Sequence, residues 1–231
     1  IQILGVYDMF YHLIKYDIEK YNFQKILCDE FDVDDLNLLH NNLNSDYIPK
    51  DGIGGLSNDT HSKFHNSFYK KLNSGWKEFD NTWSLFLIDI IKPFFKNESE
   101  IIYQSYPSFR IQYPKSKAVT TWHCDNDKNH QHPIDEINIM VPVTKMFSTN
   151  AVWRESLPGL GDFSPMELDI GDVAIWNGNR CRHGNKPNDT GLTRISFDFR
   201  VLPAVSYDEN YSAGSATTGK KFIVGEYYSK I

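Results

Sequence analysis

The segment Trp122-His123-Cys124-Asp125 sets an imidazole and a carboxylate two residues apart. In extended backbone, side chains at i and i+2 share a face. His123 and Asp125 can therefore reach one point while Cys124 turns away. A His-X-Asp pair recurs by chance on protein surfaces, so the pair alone carries little. His183 follows sixty residues later, just after a strand-like run (Val173–Trp176) and a short loop (Asn177–Arg182). Two imidazoles and one carboxylate form the ligand set that holds non-haem iron(II) on one face and leaves positions open for cosubstrate and oxygen. Arg194 lies eleven residues beyond His183, with Ser196 on the same face of a β-rich run. A guanidinium fork grips a carboxylate with two hydrogen bonds, and a neighbouring hydroxyl adds a third. The pair suits the distal carboxylate of 2-oxoglutarate; an ordinary buried ion pair on a strand is the other reading.

Positioning these residues requires several strands. From about residue 100 onward, short β-rich runs alternate with turn residues: Ser108–Tyr113, Ala118–His123, Glu136–Val143, Ala151–Glu155, Val173–Trp176 and Arg194–Leu202. Ser196-Phe197-Asp198-Phe199-Arg200-Val201 alternates fully between polar and apolar side chains. Many short strands with no helical pattern between them suggest a jelly roll or barrel. The first hundred residues read as mostly helical. Residues 8–28 carry Met9, Phe10, Leu13, Ile14, Ile18, Tyr21 and Ile26 at a roughly helical rhythm. Residues 46–57, with Pro49, Gly52, Gly54 and Gly55, read as a loop, after which Asn58 or Asp59 could cap a helix. Phe64, Phe68 and Leu72, then Trp76, Phe79, Trp83, Phe86, Ile90 and Phe94, form an aromatic stripe expected to pack on a sheet. The expected fold is α+β: a jelly-roll core (101–231) with a helical half (1–100) packed on it, as a single domain (1–231).

Bulk properties narrow the function further. With 231 residues the chain can bury a sizeable core. Its formal net charge of -6 offers no global attraction to nucleic acid or anionic lipid. Lys220 and Lys221 read as a solvated surface pair. No run approaches eighteen apolar residues, and no basic stretch followed by an apolar core opens the chain, so neither a membrane span nor a signal peptide is expected. Opening on Ile1 rather than Met fits trimmed ends or one domain of a larger protein. Cys28, Cys124 and Cys181 are odd in number and irregular in spacing, which argues for a reducing, cytoplasmic compartment over a disulfide framework.

Other polar residues have two readings each. Gln112 and Asn138 could face the cosubstrate or serve strand hydrogen bonding. Arg110 could meet an anionic or hydroxyl-rich substrate or form a salt bridge. Asp127, His130 and His132 sit in a polar loop, Asn126–Pro133, that could contact substrate or, less simply, a second metal. Asn150 and Trp153 could shape the pocket or belong to the core, and nothing marks Cys181 as a nucleophile.

In this order, His123-X-Asp125, His183 and Arg194-X-Ser196 resemble the 2-oxoglutarate/iron(II)-dependent dioxygenases. The resemblance is greatest to the branch related to streptomycin-biosynthesis and phytanoyl-CoA-type oxygenases. Matching stretches include Phe109-Arg110-Ile111-Gln112, Glu136-Ile137-Asn138, Ser148–Trp153, Glu155-Ser156, Gly159–Asp162, His183-Gly184-Asn185 and Arg194–Arg200, over about residues 105–228. The resemblance implies a double-stranded β-helix core and iron(II) on His123, Asp125 and His183. It also implies 2-oxoglutarate on Arg194 and Ser196, and use of molecular oxygen with release of succinate and carbon dioxide. Halogenating relatives carry a small residue where Asp125 stands, so the retained carboxylate favours hydroxylation or a related oxidation. A small polar metabolite is the expected substrate: a sugar, an amino acid or a natural-product intermediate. Two rivals remain open, a cupin-like metal enzyme without 2-oxoglutarate and a non-catalytic carbohydrate-binding jelly roll. The oligomeric state is not readable.

Overall fold

The computed structural model describes residues 11–43, 62–95, 98–116, 121–216 and 218–231. Its strands, in chain order, are β1 (Tyr11–Lys15), β2 (Ile101–Gln104), β3 (Ser108–Gln112), β4 (Ile137–Pro142), β5 (Val152–Arg154), β6 (Ser164–Pro165), β7 (Asp172–Trp176), β8 (His183–Asn185), β9 (Arg194–Pro203) and β10 (Tyr228–Lys230). The α-helices are α1 (Phe23–Phe31), α2 (Lys63–Asn73) and α3 (Lys77–Phe86), the last continuing through a π turn and a 3-10 turn to Phe95. The fold is thus a mixture of helices and antiparallel sheet.

Strand β9 organises the large sheet, whose order is β1-β7-β4-β9-β2-β10. Along one edge β9 pairs with β4; along the other its first half pairs with β3 and its second half with β2. All ten of its residues are buried. The period-two alternation of a strand gives it two unlike faces. Ile195, Phe197, Phe199 and Val201 join the main hydrophobic core with Ile137, Ile139 and Val141 of β4 and Val173 and Ile175 of β7. Arg194, Ser196, Asp198 and Arg200 occupy the other face, which looks toward the small sheet β6-β5-β8.

The helices cover the apolar face. Phe23, Phe68, Phe79, Trp83 and Phe86 are among the buried residues of the expected stripe and its partner helix. Phe197 sits at their centre, its ring 5.3 Å from Phe23, 5.6 Å from Phe79 and 6.0 Å from Phe68 and Phe109. Between the sheets a second apolar cluster joins Met140, Ala174 and Trp176 to Met146, Ala151, Val152, Met166 and Leu168.

Three expectations need revision. The helical rhythm assigned to residues 8–28 holds only from Phe23, because Tyr11–Lys15 is a strand zipped antiparallel to β7, from Tyr11↔Trp176 to Lys15↔Asp172. An open sheet edge outweighed the local pattern, and Asp17, accepting the amides of Glu19 and Lys20, turns the chain before Asn22 caps α1. The large sheet therefore crosses the boundary expected at residue 100. The helix after the glycine-rich stretch is capped by Ser62, whose hydroxyl accepts from His65 N; the loop 46–57, Asn58 and Asp59 lie outside the described residues. Of the strand expected at 118–123, residues 118–120 also lie outside them, and His123 joins β structure as a single bridge to His183.

Replacing Phe197 with Ala should cost roughly 3–5 kcal/mol, the range for emptying an aromatic core position. A lower urea midpoint at unchanged denaturant slope is the expected result.

Candidate metal centre

The bridge between His123 and His183 is reciprocal: each backbone N–H donates to the other's carbonyl at 2.9 Å. That pairing sets the two imidazoles side by side, with ring centroids 4.5 Å apart. Two residues on, Asp125 is fixed by its own amide, which donates to Gly178 O at 3.0 Å. The candidate ligand atoms of His123, Asp125 and His183 all lie within 4.8 Å of one another, and all three residues are buried. His123 Nε2 is 3.2 Å and His183 Nε2 3.6 Å from Asp125 Oδ1.

Hydrogen bonds determine which atoms face inward. His123 Nδ1 donates to Thr121 O at 2.6 Å and His183 Nδ1 to Cys181 O at 3.1 Å. With Nδ1 as donor, the Nε2 lone pair is what each ring presents, which is how second partners orient metal-binding histidines. Burial pushes the pKa of His183 down to about 4, so its imidazole stays neutral. Asp125 Oδ2 accepts three bonds: from Asn138 Nδ2 at 2.7 Å, Arg200 Nε at 3.1 Å and Arg200 Nη2 at 2.9 Å. Burial opposes its ionisation, but the Arg200 guanidinium and the neighbouring imidazoles outweigh that and hold the carboxyl well below its usual range. Asp125 Oδ1, by contrast, is buried with no hydrogen-bond partner among the described residues. A carboxylate oxygen left bare between two Nε2 atoms is a costly arrangement for protein alone. It fits a divalent cation at that point, with imidazole and carboxylate donors of the kind iron(II) takes.

Of the cosubstrate candidates, Arg194 lines the same cavity as the two histidines. The lining includes His123, His183, Met140, Val152, Trp176, Asn185, Arg194, Arg110, Asp198 and Arg200. Arg194 Nη1 donates to Ser196 Oγ at 2.9 Å, Nη2 to Gln112 Oε1 at 3.2 Å and Nε to Asn150 O at 3.1 Å. Gln112 stands opposite Arg194 in the β3–β9 register and also donates to Lys186 O at 2.8 Å. Its side chain thus steers the guanidinium.

The remaining expected residues fall in different places. Asn138 touches Asp125 rather than Arg194, so it bears on the candidate metal ligand. Its approach requires Gly178, where an added Cβ would lie 2.8 Å from Asn138 Cγ. Asn150 is fully buried, and its Oδ1 accepts from Phe147 N at 2.7 Å, closing its own turn; its contribution to the site is the backbone carbonyl that receives Arg194. His130 stacks on His123 with centroids 4.1 Å apart and is tethered to Asp127 Oδ1 at 2.8 Å, which lays the polar loop over the site. His132 is turned away, onto Glu136 Oε2 at 2.6 Å and the ring of Phe222. Arg110 both lines the cavity and pairs with Asp198 at 3.3 Å. Trp153 lies under Lys186 Nζ.

Asp198, Arg200 and Trp176 were missed as site residues. The alternation of β9 was a usable signal, since Arg194, Ser196, Asp198 and Arg200 fall on one face by count alone. Nothing local in the sequence marks Trp176, whose Nε1 is buried without a partner beside His183.

No family model matches the chain. Among solved structures, AviO1 from Streptomyces viridochromogenes Tue57 superposes with a TM-score of 0.44 at 15% identity, over 86% of this chain and 91% of that one. A prolyl-4-hydroxylase from Pseudomonas putida gives 0.41 at 10% identity, over 84% and 92%. By sequence, the Streptomycin biosynthesis protein StrG of Streptomyces griseus is 30% identical over 190 residues, 78% of this chain and 82% of the relative. A match of that identity across most of both chains settles the kinship: the protein belongs to the family of the streptomycin biosynthesis protein StrG.

Proposed function

We propose that the chain is a non-haem iron(II) oxygenase that uses 2-oxoglutarate and molecular oxygen to hydroxylate a small polar metabolite, on a double-stranded β-helix core. One observation carries this reading: a buried His-Asp-His set holds a bare carboxylate oxygen, and its two histidines line the same cavity as Arg194. His123, Asp125 and His183 would hold the iron. Bound there, iron(II) would couple oxygen activation to the oxidative decarboxylation of 2-oxoglutarate, giving succinate and carbon dioxide. Arg194 and Ser196 would take the distal carboxylate, with Gln112 and the Asn150 carbonyl fixing the fork. Ile111, Met140, Val152 and Trp176 form the apolar part of the lining and would exclude water from the reacting centre. His130 and Asp127 cover the His123 side, where a substrate would enter. Arg200 and Asn138 hold no ligand; they aim Asp125.

The substrate is a small molecule rather than nucleic acid, in keeping with a net charge of -6. All three cysteines are free thiols, which supports a reducing, cytoplasmic setting. No described helix is long and apolar enough to cross a membrane.

Three measurements bear on this reading. His183→Ala should abolish stoichiometric iron(II) binding, read by anaerobic titration; unchanged affinity would remove the triad from its role. Arg194→Ala should raise the 2-oxoglutarate concentration needed for half-saturation by roughly ten- to a hundredfold, the loss of charge-assisted hydrogen bonds worth about 1.5–3 kcal/mol, while iron affinity stays. Asn138→Ala should weaken iron binding by about tenfold, at the low end for partners of metal ligands, with folding intact by circular dichroism. A screen of polar metabolites for stimulated succinate release addresses the activity itself; turnover of a substrate without 2-oxoglutarate would favour the cupin-like alternative.

A further inference from the structure

Four charged side chains line the cavity: Arg110, Arg194, Asp198 and Arg200. Two of the arginines are already assigned, Arg200 to protein and Arg194 to protein and the proposed cosubstrate. Arg200 spends Nε and Nη2 on Asp125 and Nη1 on Asp198 at 3.1 Å. Arg194 is spread over Ser196, Gln112 and Asn150. Arg110 differs. Among the described residues its side chain makes one long hydrogen bond, Nη2 to Asp198 Oδ2 at 3.3 Å, and it is 24% exposed. Asp198 already has the shorter bond from Arg200, so a second guanidinium is not needed to neutralise it. The other carboxylate oxygen, Asp198 Oδ1, is buried without a hydrogen-bond partner among the described residues.

Charge bookkeeping points the same way. Three guanidiniums meet two carboxylates, Asp125 and Asp198. The next carboxylate, Glu136, is engaged by His132 and Tyr228 and does not line the cavity. A divalent metal with a dianionic cosubstrate adds no net charge. One positive charge stays uncompensated, in a wall where an unpaired charge is expensive, and Arg110 is the guanidinium with donors to offer. Its planar fork is shaped for an oxyanion.

We propose that Arg110 is the anchor of the substrate subsite and that the substrate carries an oxyanion, a carboxylate or a phosphate, which docks on it. Asp198 holds the guanidinium from behind and offers Oδ1 to a hydroxyl or amino hydrogen next to that anion. The inference rests on the proposed function in taking this cavity as the place where substrate binds, with a divalent metal and a dianionic cosubstrate beside it.

The test is calorimetric titration of the chain, loaded with manganese(II) and 2-oxoglutarate, with inorganic phosphate and separately with sodium acetate, at constant ionic strength. Saturable binding of at least one probe is expected, and the better probe tells phosphate from carboxylate. In Arg110→Gln that affinity should fall at least tenfold, with manganese and 2-oxoglutarate binding unchanged; Arg110→Lys should retain part of it, as a point charge without the fork. No saturable binding of either anion would overturn the proposal, and so would equal binding by Arg110→Gln. A loss of thermal stability in Arg110→Gln with anion binding intact would leave Arg110 a structural ion-pair partner, and weaker 2-oxoglutarate binding would place it in the cosubstrate site; both overturn the proposal. Failure of the wild-type chain to take up manganese or 2-oxoglutarate would instead defeat the proposed function. The same titrations on the metal-free chain still read the Arg110 dependence.

Discussion

Asp125 has two carboxylate oxygens with opposite fates, and the rest of the site follows from that asymmetry. Oδ2 is saturated by Asn138 and by two nitrogens of Arg200. Oδ1 is left bare between two imidazole Nε2 atoms. Without the clamp on Oδ2 the carboxylate could rotate, and a buried acceptor would find a protein donor instead. With it, the unsatisfied oxygen is held where a cation would remove the cost of its desolvation. The donors that impose this come from β4 and β9, which are adjacent strands in register, Asn138 facing Arg200. Sheet register is therefore what sets ligand geometry.

The same strand couples that geometry to the core. Phe197 and Phe199 sit between Ser196, Asp198 and Arg200, pointing the opposite way, into the aromatic layer. Phe199 packs edge-on against Trp83 at 4.8 Å, and Phe197 meets four rings of the helical layer and β3 within 6.0 Å. A one-residue slip of β9 would exchange the two faces and bury arginines among phenylalanines. The helical half thus acts as more than a cover: its rings make the register of β9 unambiguous, and the polar row on the other face inherits that precision. Arginine rather than lysine suits this row, because one guanidinium can bridge Asp125 and Asp198 at once.

How much of this was legible in the sequence depends on the range of each interaction. His123 and Asp125 were readable from i, i+2 spacing, and Arg194 with Ser196 likewise, because strand alternation is local. Phe64, Phe68 and Leu72 announced α2 in the same way. The pairing of His123 with His183 is a bridge across sixty residues, and only the chemistry of the pair suggested it. Tyr11–Lys15 misled, since a helical rhythm of apolar residues says nothing about an open edge on β7 waiting for a partner. Asn138 was assigned to the cosubstrate from its strand position, but whether it meets Asp125 or Arg194 depends on the β4–β9 register. The sequence does not print that register. Asp198 and Arg200 were hidden in plain view on the face already recognised for Arg194.

The cavity is chemically lopsided, and that asymmetry argues for what it does. Met140, Val152 and Trp176 supply apolar contact with one unspent indole N–H; Arg110, Asp198 and Arg200 supply charge. A structural cavity of this polarity would be expected to close its hydrogen bonds internally, since each buried orphan costs about 1–3 kcal/mol. Among the orphans of residues in or beside this lining are Asp125 Oδ1, Asp198 Oδ1 and Trp176 Nε1. Two are acceptors and one is a donor, so no rearrangement among themselves satisfies all three. Their needs differ in kind: a cation for the oxygen between the imidazoles, a hydrogen for the other carboxylate, an oxygen for the indole. A single water could meet one of these needs but not all. A cation with polar, oxygen-bearing groups around it could meet every one, so the lining is built to be completed by bound ligands rather than by protein.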